Sequence, residues 1–390
     1  MPATPVRDDF RRAQLAVAAL FCFLGFQYAT WAARLPTLRT GLGLSEADVG
    51  LLLTACGAGA AVSFPLVSAL MRRLGSRRLS LLSALCLAVL LLALGAAPDY
   101  PVALLVACCD GVAVGCLNVA MNAQGAALEE VYGRTTMARL HATFSAGSLA
   151  AALLASGVNS FTTALSAHFG IAAAVLLLLV GLARGGLLTE DQRPVEQPAD
   201  RRRRLVRPSA LTLWMGAAMV FGTVTEGAMN DWSALYLRDV AEATAKVAPL
   251  GIAVVSVMMV LARLVADGVR SRWGDGRVVR AGSALAAAGL ALGLLAGGVV
   301  PALVGFACVG LGIAAVTPCV YVAAARQGAE ALALVAAMGT TGLLAGPAVI
   351  GFVAGGSSLA WGMGVVAASA GLVSLCAQRI RWAPVAEGEA

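Results

Sequence analysis

Charged side chains are scarce in this sequence. They make up 13% of its 390 residues, against roughly 25% in soluble domains, so an ordinary water-soluble fold is excluded. Histidine occurs only twice. There is no His-Glu-x-x-His run and no glycine-rich phosphate loop ahead of a helix, which sets zinc chemistry and ATP hydrolysis aside. A clustered nucleophile and base is also missing, so no enzyme is expected, and the sequence calls for no cofactor and no metal. The nine cysteines (Cys22, Cys56, Cys86, Cys108, Cys109, Cys116, Cys308, Cys319 and Cys376) all fall in apolar runs. They lack the paired spacing of a zinc site or a disulfide framework and read as small packing residues. The net charge of +7 comes from short basic clusters between apolar runs, not from a basic helix face. Nucleic acid is therefore not an expected partner, and the clusters read as topology signals.

What is abundant is apolar sequence, 59% of the chain. A bilayer core needs about 20 apolar residues per helix. Runs of that kind lie near 13–36, 46–71, 78–97, 101–127, 137–160 and 164–184, then near 209–237, 247–269, 278–298, 300–325, 330–354 and 358–379. Twelve spans are thus predicted, and the first is read as an uncleaved membrane helix because it is too long, and too widely followed by others, for a signal peptide. The polar linker from Arg184 to Ser209, with seven arginines, four acids and three prolines, divides them six and six. The expected organisation is a bundle over 1–183, a basic cytoplasmic linker over 184–209 and a second bundle over 210–390. With the N-terminus inside, 23 of the 28 basic residues fall in the predicted inner segments, as the positive-inside rule requires. Both termini are accordingly expected in the cytoplasm of a multi-pass protein of a bacterial inner membrane.

The two halves also repeat each other. One gapless offset of 199 residues places Arg73-Leu74-Gly75 on Arg272-Trp273-Gly274, Gly111-Val-Ala-Val on Gly310-Leu-Gly-Ile, and Ser145-Ala146-Gly147 on Leu344-Ala345-Gly346. Related halves of this kind are a signature of transporters.

Six plus six spans, a long basic central loop and a glycine-containing basic loop after the second span of each half resemble the major facilitator superfamily over essentially the whole chain. The family's loop after span 2 reads roughly G-x-x-x-D-R-x-G-R-R. Here it is Ser68-Ala-Leu-Met-Arg72-Arg73-Leu-Gly75-Ser-Arg77-Arg78, with Ser68 and Arg72 in place of the first Gly and the Asp. Span 4, Gly111-Val-Ala-Val-Gly115-Cys-Leu-Asn118-Val-Ala-Met-Asn122-Ala-Gln124, is similar to the fucose-permease-like branch. That branch carries an acid followed four residues later by Asn, and Asn118 stands here at the acid's position. Glu226-Gly-Ala-Met-Asn230-Asp231-Trp232 in span 7 also resembles poorly characterised members of the branch. The resemblance implies an all-α membrane fold of two pseudo-symmetric six-helix bundles, with Arg72, Arg73, Gly75, Arg77, Asp267 and Gly274 in or beside the cytoplasmic gating loops.

Ionisable groups at membrane depth cost roughly 2.5–3.5 kcal/mol at a helix centre on insertion scales and usually face a cavity or a partner. Glu226 lies near the middle of span 7, with Asn230 one turn on. It is the leading candidate for proton coupling, with Asp231 and His141 assisting; the competing reading is a buried acid permanently paired, for instance with Arg34. Gln27, Trp31 and Arg34 share a face of span 1, with Tyr28 beside Gln27. Trp31 and Trp232 otherwise serve as headgroup anchors. Asn118 and Asn122 place two amides on one face of span 4, either for solute or as helix glue. Substrate contacts are therefore expected from Gln27, Tyr28, Trp31, Asn118, Asn122, Glu226, Asn230 and Trp232. Arg263 with Asp267 reads as a structural ion pair in span 8, and Asp110 as a buried group bonded to its own neighbours. Gly111 and Gly115 read as packing, and Gly342, Gly346, Pro347 and Gly351 as a kink in span 11.

The expectation is a secondary transporter, acting as a monomer, that moves a small polar, sugar-like solute with protons by rocking of two bundles. A proton-driven exporter of amphiphilic compounds is the alternative, and a non-transporting sensor with the same fold is a third.

Overall fold

The computed structural model describes residues 5–133, 136–189 and 208–382, so most of the linker lies outside the described residues. Backbone N–H and C=O groups in lipid find no water to bond. Each long apolar run therefore closes its hydrogen bonds within itself, and the described residues form thirteen α-helices and no strand. The chain makes two compact units, Met1–Leu42 with Ala55–Leu205, and Gly43–Thr54 with Val206–Ala390.

The first unit contains α1 (Pro5–Ala32), the short α2 (Leu35–Leu42), most of α3 (Glu46–Gly95), α4 (Tyr100–Tyr132), α5 (Met137–Val158) and α6 (Leu165–Arg184). Helix α3 carries two of the predicted spans. Its turn sits at Gly75, whose φ of 74° and ψ of 166° are open to essentially glycine alone. Local caps fix the other joints. The Asp99 carboxylate accepts from Val102 N at the start of α4 (3.0 Å), Gly133 ends that helix at φ 61°, and Glu129 Oε1 accepts from Thr136 N and Met137 N ahead of α5 (2.5 and 2.8 Å). Helix α1 packs on α4, α5 and α6. Glycines let these backbones close: a Cβ added at Gly25 would strike Phe144 O, one at Gly147 Cys22 O, and one at Gly111 Cys56 O.

The second unit contains α7 (Ala210–Asp239), α8 (Leu250–Trp273), α9 (Asp275–Ala296), α10 (Val299–Ile313), α11 (Val316–Ala325), α12 (Ala329–Gly356) and α13 (Leu359–Arg379). The predicted span 300–325 is interrupted at Ala314 and Ala315, giving α10 and α11. Helix α12 runs through Pro347 without interruption. Of the glycines read as a kink, Gly342 is a position of close approach, where a Cβ would meet Val220 O of α7; nearby, Thr223 Oγ1 of α7 donates to Gly339 O (2.8 Å). They seat α7 against α12. The segment Gly43–Thr54 packs on this unit through Gly50, where a Cβ would lie 2.9 Å from both Gly351 Cα and Pro347 O.

All twelve predicted spans are helical passes, with α3 counted twice and α10 and α11 together. Ten stretches among the described residues are long and apolar enough to cross a membrane, and Leu250–Ala266 is a shorter apolar helix. Helix α7 falls outside that set because Thr212, Thr223, Thr225, Glu226, Asn230 and Asp231 dilute its apolar character.

The offset of 199 residues is also present in the geometry. Gly274 has φ 77° and ψ 149°, nearly those of Gly75. A Cβ at Gly310 would meet Val255 O as one at Gly111 meets Cys56 O, and both members of that contact are displaced by the same offset.

Candidate functional site

The polar residues of the first unit fall into an enclosed set and an open set. Gln27 is completely buried, and its Nε2 donates to Asp110 Oδ1 of α4 at 2.7 Å. Cys56 Sγ of α3 lies 3.9 Å from Asp110 Oδ2. Asp110 was expected to bond to its own neighbours in the helix; it bonds instead across to α1 and α3. The carboxylate is 6% exposed, so these contacts are most of what it has in place of water. Trp31 is also buried, with its indole N–H unpartnered, while the half-buried Tyr28 meets it edge-on at 6.2 Å.

The open set lies on α4 and α5. Asn118 is exposed and Asn122 is half-buried. Asn122 Nδ2 donates to Asn118 Oδ1 and to Asn118 O, both at 2.8 Å, which orients the pair and leaves further amide donors and acceptors available. His141 is exposed near the start of α5, its ring edge-on to Phe21 at 5.0 Å.

In the second unit Glu226 Oε1 accepts from Arg263 Nη2 of α8 at 3.3 Å, with the two side chains 30% and 31% exposed. The pairing with Arg34 that was weighed for Glu226 is not the one observed, since Arg34 donates to Thr163 O. The side chain of Asp267 lies outside the described residues. Asn230 is half-buried and its Nδ2 donates to Glu226 O (3.1 Å), so it follows the carboxylate by one turn as expected. Asp231 is 2% exposed and Trp232 is fully buried. Both are more enclosed than Glu226.

At the joints between helices the loop residues form two different clasps. Arg72 and Arg73 are exposed, whereas Arg77 Nη2 donates to Arg184 O at 3.0 Å. Beside it the buried Gln124 donates to Ser76 Oγ (2.7 Å) and accepts from Leu188 N (2.9 Å). In the second unit, next to Gly274, Arg270 Nε donates to Asp275 Oδ1 at 2.8 Å. Asp275 is the repeat equivalent of Ser76, so an ion pair and an amide bridge occupy matching joints. No group of three or more potential metal ligands occurs among the described residues.

One pairing and one residue were missed in the sequence. The Gln27 to Asp110 bond joins residues 83 apart, and no spacing rule reaches that far. His168 was passed over altogether, although a fully buried histidine in an apolar helix is a signal in its own right.

Comparison with known proteins gives this geometry its setting. The profile of the Major Facilitator Superfamily matches residues 15–329. An uncharacterized MFS-type transporter of Yersinia pestis is 33% identical over 368 residues, covering 91% of this chain and 92% of that protein. Among solved structures, a mutant form of the nucleoside transporter NupG superposes with a TM-score of 0.73 at 16% identity, covering 95% of this chain and 98% of the other. The E. coli fucose:proton symporter FucP does so with a TM-score of 0.62 at 17% identity, covering 94% and 98%. A repeated six-span architecture with glycine-turned joints, matched along most of its length by sequence and by fold, makes this chain a member of the Major Facilitator Superfamily, a multi-pass membrane transporter.

Proposed function

We propose that the chain is a proton-coupled symporter of a small polar organic solute, working by alternating access. The observation that carries this reading is the ion pair of Glu226 and Arg263, 3.3 Å apart and both about one-third exposed within a helical unit. A pair so placed has two states. With Glu226 ionised the guanidinium is held; with Glu226 protonated the attraction is lost and Arg263 is free to donate to an oxygen of a solute. Proton and solute then bind together, and their release on the other side restores the pair. Asn230, Asn118 and Asn122 supply neutral donors and acceptors suited to hydroxyl or amide groups. The relatives in fold named above carry a nucleoside and fucose with a proton according to their names, and both solutes are polar organic molecules. Asp231 and His141 are assigned assisting roles in proton passage. The protein is taken to be a monomer of a bacterial inner membrane with both termini in the cytoplasm, which reporter fusions at each end would test.

The decisive experiment uses proteoliposomes with an imposed pH gradient, after a thermal-shift screen of sugars, polyols and nucleosides has supplied a solute. Glu226→Gln should lose gradient-driven accumulation while keeping solute exchange. Undiminished accumulation in that variant would remove Glu226 from coupling. Solute driven out against the proton would replace the symporter with an exporter.

A further inference from the structure

The first unit holds a buried cation with no counter-charge among the described residues. Arg34 follows α1 and is fully buried, and Nη2 donates to Thr163 O, just ahead of α6. Its Nε and Nη1 are buried without a partner. Among the described residues no carboxylate pairs with it. A guanidinium removed from water and left without an anion is among the costliest arrangements available to a protein, and more so in a chain that lies in lipid.

The surroundings of Arg34 all favour negative charge. Its guanidinium is at the start of α6, a 20-residue helix whose N-cap, Ala164, provides no side-chain cap. The first N–H groups of such a helix point outward and its dipole places partial positive charge there. One turn into the same helix is His168, fully buried, with neither Nδ1 nor Nε2 partnered. His168 stands five residues after Thr163, whose carbonyl holds Arg34, so both lie at the same end of α6. A neutral imidazole keeps one N–H donor. Three independent features thus present N–H groups at one end of the unit, the end of α6 remote from the linker.

We propose that Arg34, His168 and the first turn of α6 hold a small inorganic anion, with chloride as the occupant. The charge matches a single guanidinium. The absence of any exposed edge on Arg34 or His168 excludes a phosphate-bearing headgroup or an organic solute, either of which would need an opening. A halide accepts from several N–H donors at once and donates nothing, which is what this donor set requires. The anion is then a fixed part of the first unit, separate from the transported solute and independent of the proton role of Glu226.

The test uses the purified full chain in detergent, exchanged into sodium gluconate and titrated with sodium chloride at constant ionic strength. Binding of radiolabelled chloride is read by equilibrium dialysis, and the unfolding temperature is followed in parallel. The expected result is saturable binding at one site per chain, with stabilisation by chloride and bromide but not by gluconate. His168→Phe should weaken chloride binding by about tenfold, the loss of one hydrogen bond to a charged group, and Arg34→Gln should abolish it. Should Arg34→Gln fail to fold, the wild-type isotherm and His168→Phe decide the matter. Absence of saturable chloride binding overturns the proposal, as does binding that neither substitution alters. Retention of a stoichiometric anionic lipid with no response to chloride overturns it too.

Discussion

Replacing Gln27 by leucine isolates one buried polar contact of the first unit, the bond to Asp110. Its amide gives Asp110 Oδ1 a 2.7 Å hydrogen bond, and the only other described contact of that carboxylate is Cys56 Sγ at 3.9 Å. With Gln27 fully buried and Asp110 6% exposed, water cannot take the place of the lost donor. An unsatisfied buried group costs about 1–3 kcal/mol, more when it is charged. Asp110→Leu does the converse damage: Gln27 Oε1 already lacks a partner, and removing the acceptor leaves the whole amide unsatisfied. The two costs have one origin, so they should not add. Gln27→Leu with Asp110→Leu replaces both polar groups by apolar ones of similar size, a change that is often close to neutral. With each single substitution costing ~2 kcal/mol and the double variant near neutral, the expected coupling energy is about 4 kcal/mol in favour of the double variant. For a unit of this size a loss of ~2 kcal/mol lowers the unfolding temperature by roughly 4–8 °C, and that is the deficit predicted for each single substitution. A thiol-reactive dye supplies the assay, because Cys56 and Cys116 are buried in the same unit and report on its opening. A double variant as unstable as the sum of the two singles would refute the reasoning, because it would mean that each residue acts through contacts other than the one between them.

Two further predictions concern the glycines. Gly111→Val and Gly310→Val should each abolish folded yield in detergent chromatography, since a Cβ at either position meets a backbone oxygen of the preceding helix pair; Gly41→Ala, with nothing within 4 Å of the added carbon, is the control expected to behave as wild type. Gly75→Ala and Gly274→Ala, at φ 74° and 77°, should each destabilise by about 1–3 kcal/mol, measured as a lowered unfolding temperature, and equal stability of either variant would show that the joint can be made without the positive φ.

Much of the fold was legible because a bilayer imposes one length and one backbone solution on every crossing. Apolar runs and arginine clusters then mark the passes without reference to any partner. The repeat was legible for a similar reason: Gly75, Gly111, Gly274 and Gly310 are held by backbone conformation or backbone approach, which few other residues satisfy. Helix rotation was harder to read. In a soluble helix the polar face reveals the core side, but in lipid both faces are apolar. Gln27 and Trp31 could therefore be read as facing solute, and the structure shows both side chains buried. Asn118 and Glu226 were equally ambiguous and lie partly open. Which carboxylate meets which donor depends on packing between helices, and a spacing rule along one helix does not contain that information.

The repeat offset applied to the polar residues leads one step further. Gln27 plus 199 is Glu226, so the same position of the first helix in each half carries the group that reaches across to another helix. In the first unit it is a neutral amide bonded to a buried acid; in the second it is the acid itself, paired with Arg263 and partly exposed. The equivalents of Asp110 and Arg263 are Val309 and Phe64, so neither partner is shared. The glycine scaffold is common to both halves while the chemistry at this one position has diverged. An amide has no charge to exchange with solvent, whereas a carboxylate does, and only the half that carries the carboxylate can convert proton binding into a changed ion pair. If the halves began alike, the proposed coupling role makes the asymmetry at this position the point at which they diverged. A double substitution makes this testable: Glu226→Gln with Arg263→Asp puts an amide and an acid in place of the ion pair, the chemistry of the first unit on a different pair of helices. Such a variant should fold, bind solute more weakly for want of the Arg263 donor and lose coupling to the pH gradient, and retention of coupling would place the proton elsewhere.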